Sequence, residues 1–164
     1  MEAPTYTATG RKFDVNILVA SGPNLNLLGL REPSIYGTAT LEQIHQRLHE
    51  EADVLGCTVT CFQSNHEGAL IDFLQENRTS AAGALLNPGG LTHSSVSLHD
   101  TVKSMPFPVI EVHLSNIYAR EEWRRHSVIS PATRAQVVGF GWVSYLTALR
   151  GLVALLRNEE PVSS

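Results

Sequence analysis

One pair of side chains in this sequence has types and spacing suited to proton transfer. In the run IEVHL, Glu111 and His113 are two residues apart, and on a β-strand residues at that spacing share one face. A carboxylate beside an imidazole fixes the tautomer of the ring and favours its charged form, which makes a competent general acid. A purely structural ion pair is the alternative that this spacing leaves open.

A second pair lies in the segment SGPNLNLLGLREPSIYG (21–37), which is rich in turn residues and contains Arg31 and Tyr36. The segment is longer than an ordinary connection between two elements. A free tyrosine has a pKa of about 10, too high for a base at neutral pH, and a nearby guanidinium lowers that pKa. Arg120, further along the chain, could supply a second positive charge. Taken alone, however, the pattern favours an exposed tyrosine in a mobile loop.

Apolar strands that alternate with amphipathic helices would have to position these side chains. Strands are predicted at 14–20, 58–62, 83–87, 108–114 and 135–141. Helices are predicted at 40–56, 69–77, 94–104 and 142–158. Thr40 and Gln43 form a capping box for the first helix, and Gly56 suits its C-terminus. This alternation indicates an α/β fold: a flavodoxin-like three-layer sandwich around a five-stranded parallel sheet, with strand order 2-1-3-4-5.

Ligands of such sheets bind beyond the carboxyl ends of the strands, and several predicted strand ends carry polar side chains. These are Asn24 after the first strand, Gln63, Ser64 and Asn65 after the second, Asn87 after the third, and Glu111, His113, Ser115 and Asn116 at the fourth. We expect these groups to converge on one cleft.

Composition and missing motifs argue against several classes of protein. The formal net charge is −4 without a basic run, which argues against nucleic acid and anionic membranes as partners. No apolar run reaches transmembrane length. No Gly-rich dinucleotide or phosphate loop follows the first strand. Cys57 and Cys61 are interpreted as buried thiols of a protein in a reducing compartment, most simply the cytoplasm. One domain (14–157) is expected between flexible tails at 1–13 and 158–164.

Two further kinds of chemistry find little support. His45 and His49 are four residues apart on a helix but lack the glutamate of a zinc-protease motif, and no other histidine pair has recognisable ligand spacing, so no metal is expected. A Schiff-base mechanism needs a desolvated lysine in the pocket. The only lysines, Lys12 and Lys103, lie in the N-terminal tail and at a helix end away from the cleft.

Longer motifs extend these observations to a family. GPNLNLLGLREPSIYG, QSNHEGALIDFL, LLNPGGLTHSSVSLHD, IEVHLSNIYAREEWRRHS and VVGFGWVSYLTAL occur in this order. Over about residues 15–156 the chain resembles the type II 3-dehydroquinate dehydratases. The resemblance implies a hydro-lyase of the shikimate pathway that converts 3-dehydroquinate reversibly to 3-dehydroshikimate, by anti elimination through an enolate and without metal or organic cofactor.

The resemblance also implies catalytic roles at individual positions. Tyr36 matches the general base, and Arg31 matches the arginine that stabilises the transition state and keeps that tyrosine acidic. Asn24 matches a residue that holds a water against the enolate oxygen. His113 matches the acid that protonates the departing hydroxyl, and Glu111 matches its orienting carboxylate.

Substrate contacts and assembly follow from the same resemblance. The residues matched to substrate binding are Asn87, His93, Leu114, Ser115, Arg120 and Arg124. Asp100 matches an acidic residue that reaches a neighbouring subunit's site, in trimers that form a dodecamer. Tyr118 departs from the histidine of many members. A non-catalytic phosphate- or nucleotide-binding module of the same fold is the alternative, and it would require the Gly-rich loop that SGPNLNLLG does not provide.

Overall fold

Five parallel strands form one sheet in the computed structural model, which describes residues 15–30 and 32–159. The strands are β1 (Asn16–Ser21), β2 (Thr58–Gln63), β3 (Gly83–Asn87), β4 (Val109–His113) and β5 (Ala135–Val138). Their order is β2-β1-β3-β4-β5, which confirms the predicted topology. Arg31 lies outside the described residues, as do the first predicted tail (1–13) and residues 160–164 of the second.

Helices cover both faces of this sheet. They are α1 (Pro33–Tyr36), α2 (Leu41–Leu55), α3 (Glu67–Glu76), α4 (Val96–Ser104) and α5 (Val143–Glu159). Helices α2 and α5 pack in one apolar cluster, and α3 and α4 in the other. None of the helices in the described ranges is long and apolar enough to cross a membrane.

Strand β1 shows how the sequence separates the two clusters. Ile17 and Val19 belong to the cluster of α2 and α5, whereas Leu18 and Ala20 belong to that of α3 and α4. Side chains alternate between the faces of a strand, so a strand covered on both sides is apolar at every position. All four residues have no exposed surface, and β1 is therefore the fixed centre from which the site is built.

Helix α2 has the predicted ends. Thr40 Oγ1 accepts from the Gln43 amide at 3.2 Å, and Gln43 Oε1 accepts from the Thr40 amide at 3.0 Å, which is the predicted capping box. Gly56 follows the helix in the left-handed region, at φ 74°, where glycine has no Cβ penalty. The capping box fixes where α2 begins, and so where the long segment before the helix ends.

Two details differ from the pattern-based expectation. The segment 21–37 contains two short helical pieces, a 3₁₀ turn at Leu25–Leu27 and the single-turn helix α1. Pro33 begins α1, where a proline's fixed φ suits a first helical turn. Strand β5 ends at Val138 rather than continuing to 141, because Gly139 takes φ 92° and turns the chain away.

Candidate active site

The carboxyl ends of β1, β3 and β4 open into one cavity of about 200 Å³. Nine of the predicted site residues line it: Asn24, Tyr36, Asn87, His93, His113, Leu114, Ser115, Arg120 and Arg124. The cavity lies where the strand order reverses between β1 and β3, the usual ligand position in doubly wound sheets.

Two glycines allow the loops after β1 and β3 to meet at the base of the cavity. A Cβ on Gly22 would lie 2.4 Å from the carbonyl oxygen of Pro88, and one on Gly89 would lie 2.8 Å from that of Pro23. Gly89 also takes φ 60°, a region that side chains rarely adopt. The Gly22 amide donates to the Asn87 carbonyl at 2.8 Å. Larger residues at either glycine would separate the two loops.

Asn24 is held in an unusual backbone conformation. Its φ is 67°, which asparagine tolerates better than most residues. The Asn24 amide donates to Asn65 Oδ1 at 2.9 Å, and Gln63 Nε2 donates to the same oxygen at 3.2 Å. Ser64 and Asn116 were expected in the cleft, but they do not line it. The same is true of Gln63 and Asn65, which were also expected there. Strand β2 is an edge strand one position away from the cavity, so these amides support Asn24 from behind.

Glu111 and His113 form the predicted pair at the end of β4. His113 Nε2 lies 2.5 Å from Glu111 Oε1, and the carboxylate has no exposed surface. Because the carboxylate engages Nε2, the ring nitrogen Nδ1 is the one that can serve a ligand in the cavity. A buried carboxylate that accepts an N–H from the ring fixes the orientation of the ring and which nitrogen faces the cavity. The pair therefore has the geometry of an oriented general acid.

Two residues that sequence reasoning missed complete the surroundings of this carboxylate. Ser127 Oγ lies 2.9 and 3.0 Å from the two Glu111 oxygens and accepts the amides of Ile129 and Ser130 at 3.2 and 3.0 Å. Gln136 Nε2 donates to Glu111 Oε1 at 3.2 Å. No spacing signal connects these positions in the sequence, because only the register of β4 with β5 and the path of the following loop bring them together.

Tyr36 lies across the cavity on α1. Arg120 Nη1 donates to Tyr36 Oη at 2.7 Å, and its guanidinium carbon lies 5.3 Å from the centre of the ring. The tyrosine is half-buried against the cluster of α2 and α5, so the interpretation as an exposed tyrosine does not hold. A charged donor at this distance stabilises negative charge on the phenolic oxygen.

Aromatic and basic side chains form the mouth of the cavity. The Arg124 guanidinium lies 4.1 Å from the centre of the Trp123 ring, and Arg124 Nε lies 2.8 Å from Glu121 Oε2. His93 packs edge-on against Trp123 at 5.8 Å, and its Nδ1 donates to the His126 carbonyl at 2.8 Å. Trp123 was missed, although it directly precedes the predicted Arg124.

Asn87 is fixed from below by buried polar groups. Its Oδ1 accepts the Gly89 amide at 3.2 Å, and its side chain also hydrogen-bonds to Tyr145. The Tyr145 hydroxyl lies 2.9 Å from Ser21 Oγ. Burial raises the pKa of Tyr145 to about 12, so this hydroxyl keeps its proton at neutral pH. The result is an amide with one orientation at the end of β3.

Comparison with known proteins identifies the family. Residues 15–153 match the family model described as Dehydroquinase class II. This chain belongs to that family. A 3-dehydroquinate dehydratase of Trichodesmium erythraeum is 49% identical over 147 residues, which cover 90% of this chain and 98% of that protein. One from Roseiflexus castenholzii is 50% identical, with coverage of 90% and 93%. The crystal structure of type II dehydroquinase from Butyrivibrio crossotus has a TM-score of 0.83 at 42% identity, covering 85% of this chain and 97% of that chain.

Membership in the class II dehydroquinases agrees with the fold and with the resemblance of the motifs, and it does not favour the non-catalytic binding module. Two predicted site residues in the described ranges do not line the cavity: Glu111, which contacts His113, and Asp100. Asp100 is exposed on α4, and its expected role toward a neighbouring subunit stays a prediction. Arg31 lies outside the described residues.

Proposed function

We propose that this protein is a hydro-lyase that dehydrates 3-dehydroquinate reversibly to 3-dehydroshikimate, with Tyr36 as base and His113 as acid. The observation that carries this assignment is the presence of two proton-transfer groups on one cavity, each with its own charged partner. Tyr36 is paired with Arg120, and His113 with Glu111.

The first step removes a proton next to the ketone of the substrate. Such a proton is weakly acidic, so the enzyme must stabilise the enolate with fixed dipoles and charges. Tyr36 acts as the phenolate and takes the proton, and the Arg120 donor stabilises the phenolate before the transfer. Arg31 is assigned the same role. Asn24 would hold a water against the enolate oxygen, for which its fixed backbone is suited.

The second step expels the hydroxyl group. Hydroxide is a poor leaving group, so His113 gives its proton to the departing oxygen and water leaves. The enolate electrons then form the carbon–carbon double bond. Glu111 stabilises the charged ring before the transfer, and Asn87 helps to place the hydroxyl. These steps need neither a metal nor an organic cofactor.

The remaining cavity groups would hold the substrate. Ser115 and the backbone at Leu114 would bind the carboxylate. His93 and Arg124 would bind the ring hydroxyls, and their attachment to the His126 carbonyl and to Glu121 supports fixed positions. Enclosing the substrate in such a cavity excludes water and so strengthens each charge interaction within it.

Assembly and location form part of the same proposal. Trimers that combine into a dodecamer would allow the exposed Asp100 to reach a neighbouring site. The two unbridged cysteines suit a reducing compartment, so we assign the enzyme to the cytoplasm. Its family resemblance assigns it to the biosynthesis of aromatic amino acids, with quinate breakdown, which uses the same step, as the alternative. Light scattering should give twelve times the mass of one chain. Asp100→Asn should raise KM without changing that mass.

The activity is tested directly with 3-dehydroquinate in the presence of a chelator. Ultraviolet absorbance should rise as the conjugated product forms. Tyr36→Phe and His113→Gln should each lower kcat by at least about 100-fold. His49→Gln, on the exposed face of α2, is the matched control and should keep normal turnover. No absorbance change with the wild-type protein between about pH 6 and about pH 9 would refute the assignment.

A further inference from the structure

A chain of hydrogen bonds leads from the protein surface to the acid pair without passing through the cavity. Tyr118 Oη donates to Gln136 Oε1 at 2.6 Å. Gln136 Nε2 donates to Glu111 Oε1 at 3.2 Å, and the same oxygen lies 2.5 Å from His113 Nε2. We call these four side chains the Tyr118–His113 chain. About half of the Tyr118 surface is exposed, whereas Glu111 has none.

The sheet itself builds the middle of this chain. Glu111 of β4 pairs with Gln136 of β5 in parallel register, so the two side chains are neighbours on one face. Strand β5 is at the edge of the sheet, which leaves room beyond Gln136 for the loop that follows β4. Asn116 Oδ1 accepts the backbone amide of Tyr118 at 3.1 Å. Asn116 thereby caps the 3₁₀ turn Ile117–Ala119, which brings the hydroxyl of Tyr118 to the side-chain amide of Gln136.

Only one orientation of the Gln136 amide satisfies both neighbours fully. An ionised carboxylate can only accept hydrogen bonds, whereas a glutamine amide has one donating and one accepting end. The reverse orientation would place Oε1 against Glu111 Oε1, two acceptors without a proton between them. The Tyr118 hydroxyl donates to Oε1 and so favours the orientation in which Nε2 faces the carboxylate.

We infer that Gln136, held by Tyr118, is a positioning residue for the proposed acid. Its N–H fixes the plane of the Glu111 carboxylate, and through that plane the direction in which His113 presents its proton. This inference rests on the proposed function. Neither Gln136 nor Tyr118 lines the cavity, so their loss should slow the chemical step and leave substrate binding almost unchanged.

Gln136→Met tests the inference because methionine keeps the length of the side chain and removes both hydrogen bonds. We expect kcat to fall by about 5- to 30-fold with KM within about twofold. Gln46→Met is the matched control, since Gln46 Nε2 donates to Glu50 Oε1 at 3.2 Å on the surface of α2. It loses an equivalent glutamine–carboxylate bond and should keep normal kcat.

Tyr118→Phe and the double variant test whether Tyr118 acts on the acid pair through Gln136. Tyr118→Phe should lower kcat by about threefold. If Tyr118 acts through Gln136, adding Tyr118→Phe to Gln136→Met should lower kcat no further. Independent contributions that multiply in the double variant would contradict the proposed order.

Gln136→Glu supplies a readout that a merely structural role would not change. A carboxyl group at position 136 can donate to Glu111 only when it is protonated. The ratio of its kcat to that of the wild type should therefore rise as the pH is lowered, and a ratio independent of pH would count against the inference.

The outcomes separate this inference from the proposed function. A wild type without turnover refutes the proposed function and this inference with it. An active wild type whose Gln136→Met variant turns over within about twofold of Gln46→Met refutes only this inference. If Gln136→Met does not fold, Tyr118→Phe decides, because it removes only the hydroxyl of a half-exposed side chain. Unchanged kcat in that variant then overturns the inference.

Discussion

Replacing Arg120 should lower the catalytic rate by a factor that can be worked out, because Arg120 donates a hydrogen bond to the proposed base. Arg120→Met removes the 2.7 Å hydrogen bond to Tyr36 Oη and keeps an unbranched side chain of similar reach. The arginine side chain is only 14% exposed, so water replaces the missing donor poorly. The variant therefore reports on the stabilisation of the phenolate rather than on a surface charge.

The size of the effect follows from the type of bond. A hydrogen bond to a charged group contributes about 1.5–3 kcal/mol, which corresponds to about a 10- to 150-fold loss in kcat/KM. Arg120→Lys should lie between the wild type and Arg120→Met, since it keeps the charge but loses the planar fork of donors. In a Tyr36→Phe background, Arg120→Met should have little further effect, because the two groups act as one unit.

The assay is the rise in ultraviolet absorbance with 3-dehydroquinate, measured at several substrate concentrations. Arg150→Met is the matched control: Arg150 binds Glu51 on the surface, with Nε and Nη2 at 2.5 and 3.1 Å. A loss below about threefold in Arg120→Met, or an equal loss in Arg150→Met, would refute the assignment of Arg120 to the base.

Two further predictions concern stability. Ser127→Ala removes the bonds to both oxygens of Glu111 and should lower the free energy of unfolding by about 2–3 kcal/mol in urea denaturation; a change below about 0.5 kcal/mol would contradict this. His45 has a pKa lowered from 6.5, first by burial and then by His49. Between that lowered pKa and pH 6.5, the unfolded state therefore binds more protons than the folded state. The free energy of unfolding should fall as the pH decreases through this interval. His45→Gln should show a smaller fall, and an equal fall in wild type and variant would exclude this contribution.

Much of the fold follows from short-range patterns. The continuous apolar run of β1 and the capping box at Thr40 each depend on neighbours within a few residues, and the structure confirms both. The end of β5 and the helical turns inside the segment 21–37 were missed. They depend on single backbone conformations, such as that of Gly139, which turn residues permit but do not dictate.

The site divides in the same way. Glu111 and His113 were found because two residues on one strand share a face whatever surrounds them. Ser127 and Gln136 were not found, because their contact with Glu111 depends on which strands are neighbours and in what register. The pattern alone also misjudged Tyr36, since its burial comes from packing against helices elsewhere in the chain.

The loop that follows β4 contacts both the proposed base and the carboxylate that orients the proposed acid. Arg120 binds the base on α1, while Ser127 binds the carboxylate that orients the acid. Between them, Trp123 and Arg124 form the mouth of the cavity. The proposed acid belongs to the buried strand β4, whereas the proposed base is on the single-turn helix α1. Arg120 links that helix to the side of the cavity that carries the acid. The 2.7 Å bond from Arg120 already holds the base next to its charged donor, so any displacement of α1 from the cavity would separate the two and remove the stabilisation of the phenolate.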